Sequence, residues 1–382
     1  MGGVQGNPRR APPGVEALRI GRITVGLGRP CVVIAEAACE HRGSLRAAKR
    51  LAQAARAAGA DIVKFQLHLP DVEMLPGSIR FWAGSMDHVL RQVNLSVEDH
   101  RRLFRYCAAI GIQYLCTAYC AQGLEILDAL GVPAFKIGSG EMTNLPMIRR
   151  AGQLSARTGK PVLVSTGMST MEEIAETVTV LRRQRARFLL LNCTSEYPPN
   201  DAHINLGLIA TFRRRFGVLV GHSDHSPDGS TVLGAVALGA KVIEKHFTLD
   251  RALKGPDHRV SLEPTELRQL IRAIRRLEAA LGAEKRVYPE EQLVRDWAHH
   301  SVVSLRPIPA GSVLTAEMAG VKRPGRGVPA KYLEAFYGRV AARDIPANVL
   351  LAWNDVRGRQ GKASHRRPTG PVHVSRPRRH SA

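Results

Sequence analysis

Gly221-His-Ser-Asp-His-Ser226 and Glu244-Lys-His-Phe-Thr248 are the two stretches that decide how this chain folds. Each follows directly on a short apolar run of the kind that forms a buried strand, and each presents a histidine near the end of that run. His225 and His246 are too far apart in sequence to share one helix face. Their spacing instead fits two neighbouring parallel strands that are joined by a helix.

Two imidazoles at adjacent strand ends can supply half of the ligands of a catalytic metal site, with the other positions open to water and substrate. Histidines at strand ends are, however, more often hydrogen-bonded core or rim residues than metal ligands. The pair alone therefore fits both a metal site and two hydrogen-bonded core or rim histidines. The residues at the other strand ends are needed to distinguish the two.

The same alternation of a short apolar run and a helical segment recurs along most of the chain. The runs that predict strands are Cys31–Ala35, Ile62–Phe65, Ile112–Cys116, Ala134–Ile137, Val162–Val164, Phe188–Leu191, Val218–Val220 and Val242–Ile243. The segments that predict helices include Ser44–Ala58, Glu98–Ala109, Ala121–Leu130, Met171–Arg183 and Glu263–Ala280. Eight strands alternating with helices predict an α/β fold, a (β/α)8 or TIM barrel, with a small hairpin at Leu18–Val25 ahead of it.

Composition divides the rest of the chain. We expect residues 1–16 to be disordered and the barrel to occupy residues 17–282. Residues 283–298 break the barrel pattern and predict a linker, and short segments with Pro and Gly predict a compact domain with little helix at 299–356. Residues 357–382 predict a disordered basic tail, because they are rich in arginine and contain no acidic residue.

The net charge of +22 raises the question of a nucleic-acid partner. No aromatic residues are interleaved with the charges of the tail, as a stacking platform for single strands requires, so we favour a solvated tail. No apolar run is long enough for a membrane span, and no secretory signal is visible at the N-terminus. The six cysteines form no Cys-x-x-Cys motif and lie mostly in apolar runs, which predicts reduced thiols and a cytoplasmic protein.

Barrel enzymes carry their catalytic groups just past the C-terminal ends of the strands. In this chain every predicted strand ends in hydrogen-bonding or ionisable residues, which would meet at one mouth of the barrel. They are Glu36, Lys64, Gln66, Thr117, Lys136, Ser139, Glu141, Ser165, Ser195, Tyr197, Ser223, His225 and His246. Polar residues in phase with all of the strands predict an enzyme.

Several of these motifs resemble those of the sialic acid synthases (N-acetylneuraminate synthases and their relatives). They stand in the family's order as Ile34-Ala-Glu36, Val63-Lys-Phe-Gln66, Lys136-Ile-Gly-Ser-Gly-Glu141, Ser165-Thr-Gly-Met168, Cys193-Thr-Ser-Glu-Tyr-Pro198, Ser223-Asp-His225, Glu244-Lys-His-Phe-Thr248 and Gly255-Pro-Asp-His258. Lys322-Arg-Pro-Gly-Arg-Gly327 is similar to the hallmark of the family's second domain, the antifreeze-like or SAF fold. The resemblance extends from residue 18 to residue 356 and implies that residues 299–356 form this domain.

The resemblance implies an enzyme that condenses phosphoenolpyruvate with an N-acylated hexose, such as N-acetylmannosamine or a 2,4-diacetamido-trideoxyhexose, and releases phosphate. It implies phosphoenolpyruvate binding by Lys64, Thr117, Lys136, Ser139, Ser195 and Ser223. It implies sugar contacts by Gln66, Tyr197, Asp257 and Arg323. Arg323 would come from the antifreeze-like domain of the other subunit, in a domain-swapped homodimer.

The resemblance also assigns His225 and His246 to a divalent cation, usually Mn²⁺ in the family, with Mg²⁺ or Co²⁺ as alternatives. The cation would act as a Lewis acid on the open-chain aldehyde of the sugar. Glu36 and Glu141 match the family's site carboxylates, which suit the orientation of water and the transfer of protons. The sequence does not separate the roles of these two glutamates.

Three positions depart from the family pattern. Glu40 stands where the family commonly has asparagine, Ser78 where some members have asparagine, and His222 where an aliphatic or aromatic residue is usual. The residues implied for phosphoenolpyruvate and for the metal are intact. We therefore expect the chemistry to be kept, whereas the identity of the acceptor sugar stays open.

Three other interpretations stay open at this point. A synthase acting on a phosphorylated sugar would need an extra cation at the site mouth, which Arg42 or an arginine near Arg80 could supply. A Schiff-base aldolase using Lys136 or Lys64 would not need the histidine pair. A non-catalytic carbohydrate-binding barrel would not need its strand-end carboxylates and lysines.

Overall fold

The computed structural model describes residues 16–81, 84–253 and 257–359. The described chain forms two compact units, which divide in the sequence between Ala283 and Glu284. Within these residues, no helix is both long enough and apolar enough to cross a membrane.

The first unit is built around a closed barrel of eight parallel strands. The strands are β1 Val32–Ala38, β2 Ile62–Leu67, β3 Gln113–Ala118, β4 Phe135–Ile137, β5 Val162–Ser165, β6 Phe188–Cys193, β7 Val220–Asp224 and β8 Val242–His246. The barrel helices, one after each strand, are α1 Leu45–Ala58, α2 Val97–Ile110, α3 Ala121–Leu130, α4 Leu145–Thr158, α5 Met171–Arg183, α6 Leu208–Phe216, α7 Ser230–Ala237 and α8 Pro264–Ala280. Consecutive strands pair and β8 pairs with β1, so the predicted (β/α)8 barrel is confirmed.

Local sequence signals set the ends of these helices. α1 begins after Ser44, whose side chain accepts a hydrogen bond from the Ala47 N–H, and ends at Gly59, whose φ of 96° favours glycine. α5 begins with a capping box, in which the side chains of Thr170 and Glu173 each accept from the other's backbone N–H. Because these signals are local, the predicted and observed bounds of the helices agree closely.

Strand β7 continues beyond the apolar run that predicts it, because His222 and Asp224 lie within it. Both side chains are buried and have partners. His222 Nε2 lies 3.3 Å from Asp224 Oδ1, and Lys245 Nζ on β8 donates to Asp224 Oδ2 at 2.6 Å. Polar residues that satisfy one another can thus extend a buried strand that hydrophobicity alone would end.

The barrel interior is apolar at its N-terminal end. An antiparallel hairpin of Leu18–Ile20 and Ile23–Val25 packs there against inward-facing strand residues. These inward residues include Ile34, Ile62, Leu115, Ala134, Leu163, Leu191 and Val242. A second and larger apolar cluster lies between the strands and the surrounding helices. The polar mouth is therefore left at the C-terminal end of the strands.

Additional elements lie in the loops after the strands. The connection from β2 to α2 contains the helices Pro70–Glu73 and Met86–Val93 and a ribbon of Arg80–Phe81 paired with Gly84–Ser85. Short 3₁₀ turns follow β6 at Asp201–His203 and β8 at His258–Val260.

The second unit contains short strands and turns around a small apolar core of its own. Its strands are Ser301–Ser304, Ala319–Lys322, Arg339–Ala341 and Val356–Arg359, its 3₁₀ turns are Ala330–Ala335 and Trp353–Asp355, and its helix is Pro289–Ala298. The helix lies inside the segment that the sequence predicts to be a linker. The last strand ends at Arg359, so the predicted tail begins too early, and the rest of that tail lies outside the described residues. Of the N-terminal segment predicted to be disordered, residues 1–15 also lie outside them.

Candidate active site

The C-terminal mouth of the barrel collects polar side chains in one layer. Each of them follows an inward apolar residue by two positions and therefore shares its face of the strand. This layer includes Glu36, Lys64, Thr117, Lys136, Ser165 and Glu244. Strand pairing brings residues from different strands together, with Glu36 beside Lys64 and Thr117 beside Lys136.

Lys64 is the centre of a buried ion cluster. Its Nζ lies 2.5 Å from Glu36 Oε2 and 3.4 Å from Glu244 Oε1, and it donates to Thr117 Oγ1 at 2.9 Å. Burial alone would lower the pKa of Lys64, but Glu244 and Glu36 outweigh burial and raise it. Lys64 therefore remains a cation at neutral pH.

Lys136 approaches the same carboxylate from β4. Its Nζ donates to Ser165 Oγ at 2.7 Å and to Ile137 O at 2.9 Å, and it lies 3.8 Å from Glu244 Oε1. Burial lowers the pKa of Lys136, an effect that Glu244 opposes and Lys64 strengthens. Two buried lysine side chains within reach of one carboxylate make this pocket suitable for an anionic ligand.

Glu244 belongs to the site, although the sequence predictions give it no role. Ser223 Oγ donates to Glu244 Oε1 at 3.0 Å, and Oε2 is buried without a hydrogen-bond partner among the described residues. Burial would raise the pKa of Glu244, but Lys136 and Lys64 outweigh it and lower the pKa. A signal was available, because Glu244 precedes His246 by two positions and shares its face of β8.

Glu36 and Glu141 are the predicted catalytic carboxyl groups. Burial raises the pKa of Glu36 to about 7, although Lys64 opposes the rise, and burial raises the pKa of Glu141 to about 7 as well. Gln66 Nε2 donates to Glu36 Oε1 at 3.3 Å. Glu141 Oε2, in contrast, is buried without a hydrogen-bond partner in the described part of the chain. Carboxyl groups that titrate near neutral pH can both donate and accept protons.

Ser139 and Ser195 meet at Gly167, in the loop after β5. The Gly167 N–H donates to Ser139 Oγ at 3.1 Å. A Cβ atom added to Gly167 would lie 2.8 Å from Ser139 Oγ and still closer to Ser195 Oγ. The absence of a side chain at this glycine thus lets two hydroxyl groups approach one stretch of backbone, an arrangement that suits a phosphate or carboxylate.

The predicted metal ligands His225 and His246 are neighbours, with ring centroids 5.2 Å apart. His225 Nδ1 donates to Thr194 O at 2.6 Å, which leaves Nε2 with a free lone pair. Burial lowers the pKa of His225 to about 4. Burial, with His225 adding to it, also lowers the pKa of His246 well below its usual value. Both imidazoles are therefore neutral at pH 7, the form that binds metals.

The histidine pair fits a divalent cation as two of its ligands. His246 Nδ1 is buried and has no hydrogen-bond partner among the residues described, and Asp257 Oδ2 lies 4.0 Å from it. No group of three or more His, Cys, Asp or Glu side chains in the described ranges is arranged to hold a metal. A cation at the pair would therefore take its other ligands from water and substrate.

Tyr197 and Asp257, two of the predicted sugar contacts, border the histidine pair. The Tyr197 ring stacks on His225 with centroids 4.1 Å apart and remains 46% exposed. Burial raises the pKa of Asp257 to about 6, and Glu40 contributes to the rise. These side chains can reach a ligand that is bound next to the histidines.

Glu40 is paired with another residue of the chain. Its Oε2 lies 2.5 Å from His258 Nε2, and both side chains are buried. His258 Nδ1 lies 2.9 Å from Thr248 Oγ1. The carboxylate that replaces the family's asparagine therefore ties the loop after β1 to the loop after β8. Arg42 and Ser78, the other residues considered for acceptor recognition, are exposed.

The NeuB family profile matches residues 51–286 of this chain, and the SAF domain profile matches residues 299–357. The chain belongs to the NeuB family. The N,N'-diacetyllegionaminic acid synthase of Campylobacter jejuni is 35% identical over 332 residues, which cover 84% of this chain and 98% of that protein. The N-acetylneuraminate-9-phosphate synthase of Homo sapiens is 35% identical over 307 residues, which cover 78% of this chain and 84% of that protein.

A solved NeuB-type structure shows the same fold. The N-acetylneuraminic acid synthetase of Leptospira borgpetersenii matches with a TM-score of 0.65 and 30% identity, covering 73% of this chain and 95% of that one. The sialic acid synthases are enzymes that use phosphoenolpyruvate and form a carbon–carbon bond. As a member of the NeuB family, this protein is an enzyme of that type.

Arg323 of this NeuB family protein lies in the second unit, where its side chain is exposed. Its Nε donates to Ala298 O at 3.1 Å, and its guanidinium lies 5.2 Å from the centre of the Trp297 ring. A cation over an indole ring is held in one orientation while other guanidinium donors remain available. Contact of Arg323 with a sugar stays a prediction.

Proposed function

We propose that this protein condenses phosphoenolpyruvate with an N-acylated hexose to give a sialic-acid-like nonulosonic acid and phosphate. The observation that carries the proposal is that Lys64 and Lys136 share the barrel mouth with the neutral pair His225 and His246. The lysines suit an anionic donor, and the histidines suit a cation that activates a carbonyl group. Two relatives support this class of product, because one is an N,N'-diacetyllegionaminic acid synthase and the other an N-acetylneuraminate-9-phosphate synthase.

We assign the phosphoenolpyruvate to the end of the mouth that contains the lysines and serines. An ammonium about 4 Å from an anionic oxygen contributes about 4 kcal/mol at an effective dielectric constant near 20. Hydroxyl donors add orientation to this attraction. The residues in this role are Lys64, Thr117, Lys136, Ser139, Ser195 and Ser223.

We assign a divalent cation to His225 and His246, with Mn²⁺ as the ion proposed and Mg²⁺ or Co²⁺ as alternatives. When bound, it would supply Lewis-acid activation of the sugar aldehyde. The chain's own contribution is to hold both imidazoles neutral and to orient His225 through Thr194 O. Gln66, Tyr197 and Asp257 would contact the sugar around this point.

In the proposed reaction, C3 of phosphoenolpyruvate forms a bond to the aldehyde carbon of the open-chain sugar. Water adds to C2, and the tetrahedral carbon then loses phosphate by C–O cleavage, which leaves a 2-keto acid. Glu36 and Glu141 would orient this water and move its protons, because both carboxyl groups titrate near pH 7.

A phosphorylated hexose is the second candidate acceptor. The observation that supports it is the similarity to the N-acetylneuraminate-9-phosphate synthase of Homo sapiens. That protein is 35% identical to this chain, the same identity as the N,N'-diacetyllegionaminic acid synthase of Campylobacter jejuni. Such an acceptor would need a cation at the rim of the site. Arg42, exposed in the loop after β1, is the side chain we would test for that role.

The test is an acceptor panel with purified full-length protein, phosphoenolpyruvate and Mn²⁺. The acceptors are N-acetylmannosamine, its 6-phosphate and the 2,4-diacetamido-trideoxyhexoses, with phosphate release followed and products identified by mass. We expect acceptor-dependent phosphate release that a chelator or His225→Ala abolishes. His203→Ala is the matched control, because His203 is exposed and pairs with Glu196. Activity that survives His225→Ala, or no turnover with any acceptor, would overturn the proposal.

We further propose that the active form is a domain-swapped homodimer in which Arg323 addresses the sugar in the partner's barrel. His225→Ala and Arg323→Ala subunits, each inactive alone, should complement when they are unfolded, mixed and refolded together. Only hybrid dimers contain a barrel with His225 intact that faces an intact arginine. About a quarter of the wild-type activity should therefore return, because half of the dimers are hybrids with one complete site. A mixture as inactive as its parents would exclude the shared site.

A further inference from the structure

His68 forms a hydrogen-bonded chain that enters the site from the loop after β2. It is buried, and its Nδ1 lies 2.7 Å from Glu73 Oε1. Its Nε2 lies 3.2 Å from Gln66 Oε1, and Gln66 Nε2 donates to Glu36 Oε1 at 3.3 Å. A continuous chain thus runs from Glu73 through His68 and Gln66 to the carboxyl group of Glu36.

The chemistry of the partners sets the direction of each bond in this chain. The amide nitrogen of Gln66 faces the Glu36 carboxylate, so the amide oxygen faces His68. The Cys39 thiol donates to the same oxygen at 3.5 Å, and burial raises the pKa of that thiol well above its usual value, which keeps it protonated. Because Gln66 Oε1 can only accept, His68 Nε2 is the donor.

The surroundings hold the His68 ring in this position. The ring stacks on Tyr119 with centroids 4.0 Å apart and planes inclined by 18°. Asn94 accepts from His68 N at 3.4 Å and donates to His68 O at 2.6 Å. The second oxygen of Glu73 accepts from Leu69 N at 3.1 Å, which anchors the carboxylate that faces the ring.

We propose that His68, held by Glu73, is a positioning residue that fixes the amide of Gln66 for the acceptor sugar. The inference rests on the proposed function, in which Gln66 contacts that sugar. An amide nitrogen has two N–H groups, of which Glu36 takes one and leaves the other to donate to a sugar oxygen. Without the His68 donor the amide is held only by Glu36 and the Cys39 thiol, so its second N–H group is directed less firmly toward the substrate.

The test compares His68→Phe with wild type in the acceptor assay. Phenylalanine keeps the stacking on Tyr119 but cannot donate to Gln66. We expect the KM for the acceptor to rise about tenfold, since a site that loses one polar contact to its substrate discriminates by roughly that much or more. The Kd of phosphoenolpyruvate, measured by calorimetry without acceptor, should stay within about twofold, because Lys64 and Lys136 are untouched.

Two further variants separate positioning from general damage. Glu73→Gln is the conservative variant. Leu69 N would donate to the new amide oxygen, which turns the new amide nitrogen toward His68 Nδ1 as a donor. His68 Nε2 can then still donate to Gln66. Its acceptor KM should therefore remain close to that of wild type. If His68→Phe leaves too little folded protein, the double variant with Glu73→Leu removes the unpaired carboxylate and is measured in its place.

The outcomes are distinct. An acceptor KM within about twofold of wild type in the phenylalanine variant, or a phosphoenolpyruvate Kd that rises by the same factor as the acceptor KM, would overturn the inference alone. Wild-type protein without acceptor-dependent turnover would overturn the proposed function, and this inference with it. A raised acceptor KM with unchanged phosphoenolpyruvate binding supports both.

Discussion

At the scale of single residues, the two predicted catalytic carboxyl groups, Glu36 and Glu141, have different surroundings. Glu36 is engaged by Lys64 at 2.5 Å and by Gln66 at 3.3 Å. Glu141 Oε2 is buried but has no hydrogen-bond partner within the described residues. Glu141 is therefore the carboxyl group that remains available to a substrate or to an attacking water.

We expect the rate of phosphate release to rise with pH through about 7, because the pKa of Glu141 lies near 7 and only its ionised form accepts a proton. Glu141→Gln should remove this rise and lower kcat by about 10²- to 10⁴-fold. Initial rates as a function of pH check both effects. Glu125→Gln, an exposed glutamate on α3, should leave the profile unchanged. A pH profile that survives in Glu141→Gln would assign the titration to another group.

At the scale of elements, the loop after β5 brings Ser139 and Ser195 to one place only because residue 167 is glycine. Gly167→Ala would insert a methyl group 2.8 Å from Ser139 Oγ. We expect the Kd of phosphoenolpyruvate to rise about tenfold or more, because the displaced hydroxyl groups of Ser139 and Ser195 no longer point at the ligand. The melting temperature should change little. Calorimetric titration measures this loss. Gly207→Ala is the control, because its added Cβ would meet nothing within 4 Å. Equal affinities of the two variants for phosphoenolpyruvate would refute the role of the loop after β5.

Strands β7 and β8 are joined behind the histidine pair by a buried ion pair. Lys245 Nζ lies 2.6 Å from Asp224 Oδ2, and these residues directly precede His246 and His225. Lys245→Met should lower the free energy of unfolding by about 3–5 kcal/mol, because it leaves the Asp224 carboxylate buried without its cation. Urea denaturation measures the loss. Lys241→Met, at a half-exposed residue directly before β8, should cost less than about 1 kcal/mol. A similar cost for both variants would show that the ion pair contributes little.

At the scale of the whole molecule, the fold buries several histidines in their neutral form. Burial lowers the pKa values of His41, His100 and His225 to about 4 each. Below the ordinary value of 6.5 the unfolded chain binds a proton that the folded chain does not. Each such histidine therefore contributes stability that is fully present above about pH 6.5 and is lost as the pH falls toward 4.

His100→Gln tests this at a site outside the active centre. The glutamine does not titrate and can keep a hydrogen bond to Tyr114 OH, which His100 Nδ1 contacts at 2.7 Å. Between pH 6.5 and 4 the wild type should lose up to about 3 kcal/mol more of its free energy of unfolding than the variant does. Denaturation at a series of pH values compares the two slopes. Parallel slopes would mean that His100 is not held neutral.

The barrel was predictable because its signals are local. Apolar runs of strand length alternate with helices that are capped by residues close in sequence. Examples are Ser44 and Gly59 at the two ends of α1, and Thr170 with Glu173 at the start of α5. The β7 bounds were missed because His222 and Asp224 are polar, and the partner Lys245 that keeps them in a buried strand is remote in the chain. The helix Pro289–Ala298 was missed although Leu293, Val294 and Trp297 stand at helical spacing, because these side chains are exposed and the segment was interpreted from its break with the barrel pattern.

The sequence alone, through its strand-end motifs and their spacing, already placed Glu36, Lys64, Lys136, His225 and His246 at one mouth of a barrel. Tertiary structure was needed for everything that depends on which side chains meet after the barrel closes. It showed that Glu244 lies between two lysines, that Glu40 pairs with His258, and that His68 reaches Gln66. The physical reason is that strand periodicity sets which face a residue occupies, whereas side-chain partners and the pKa shifts they cause depend on contacts between distant segments.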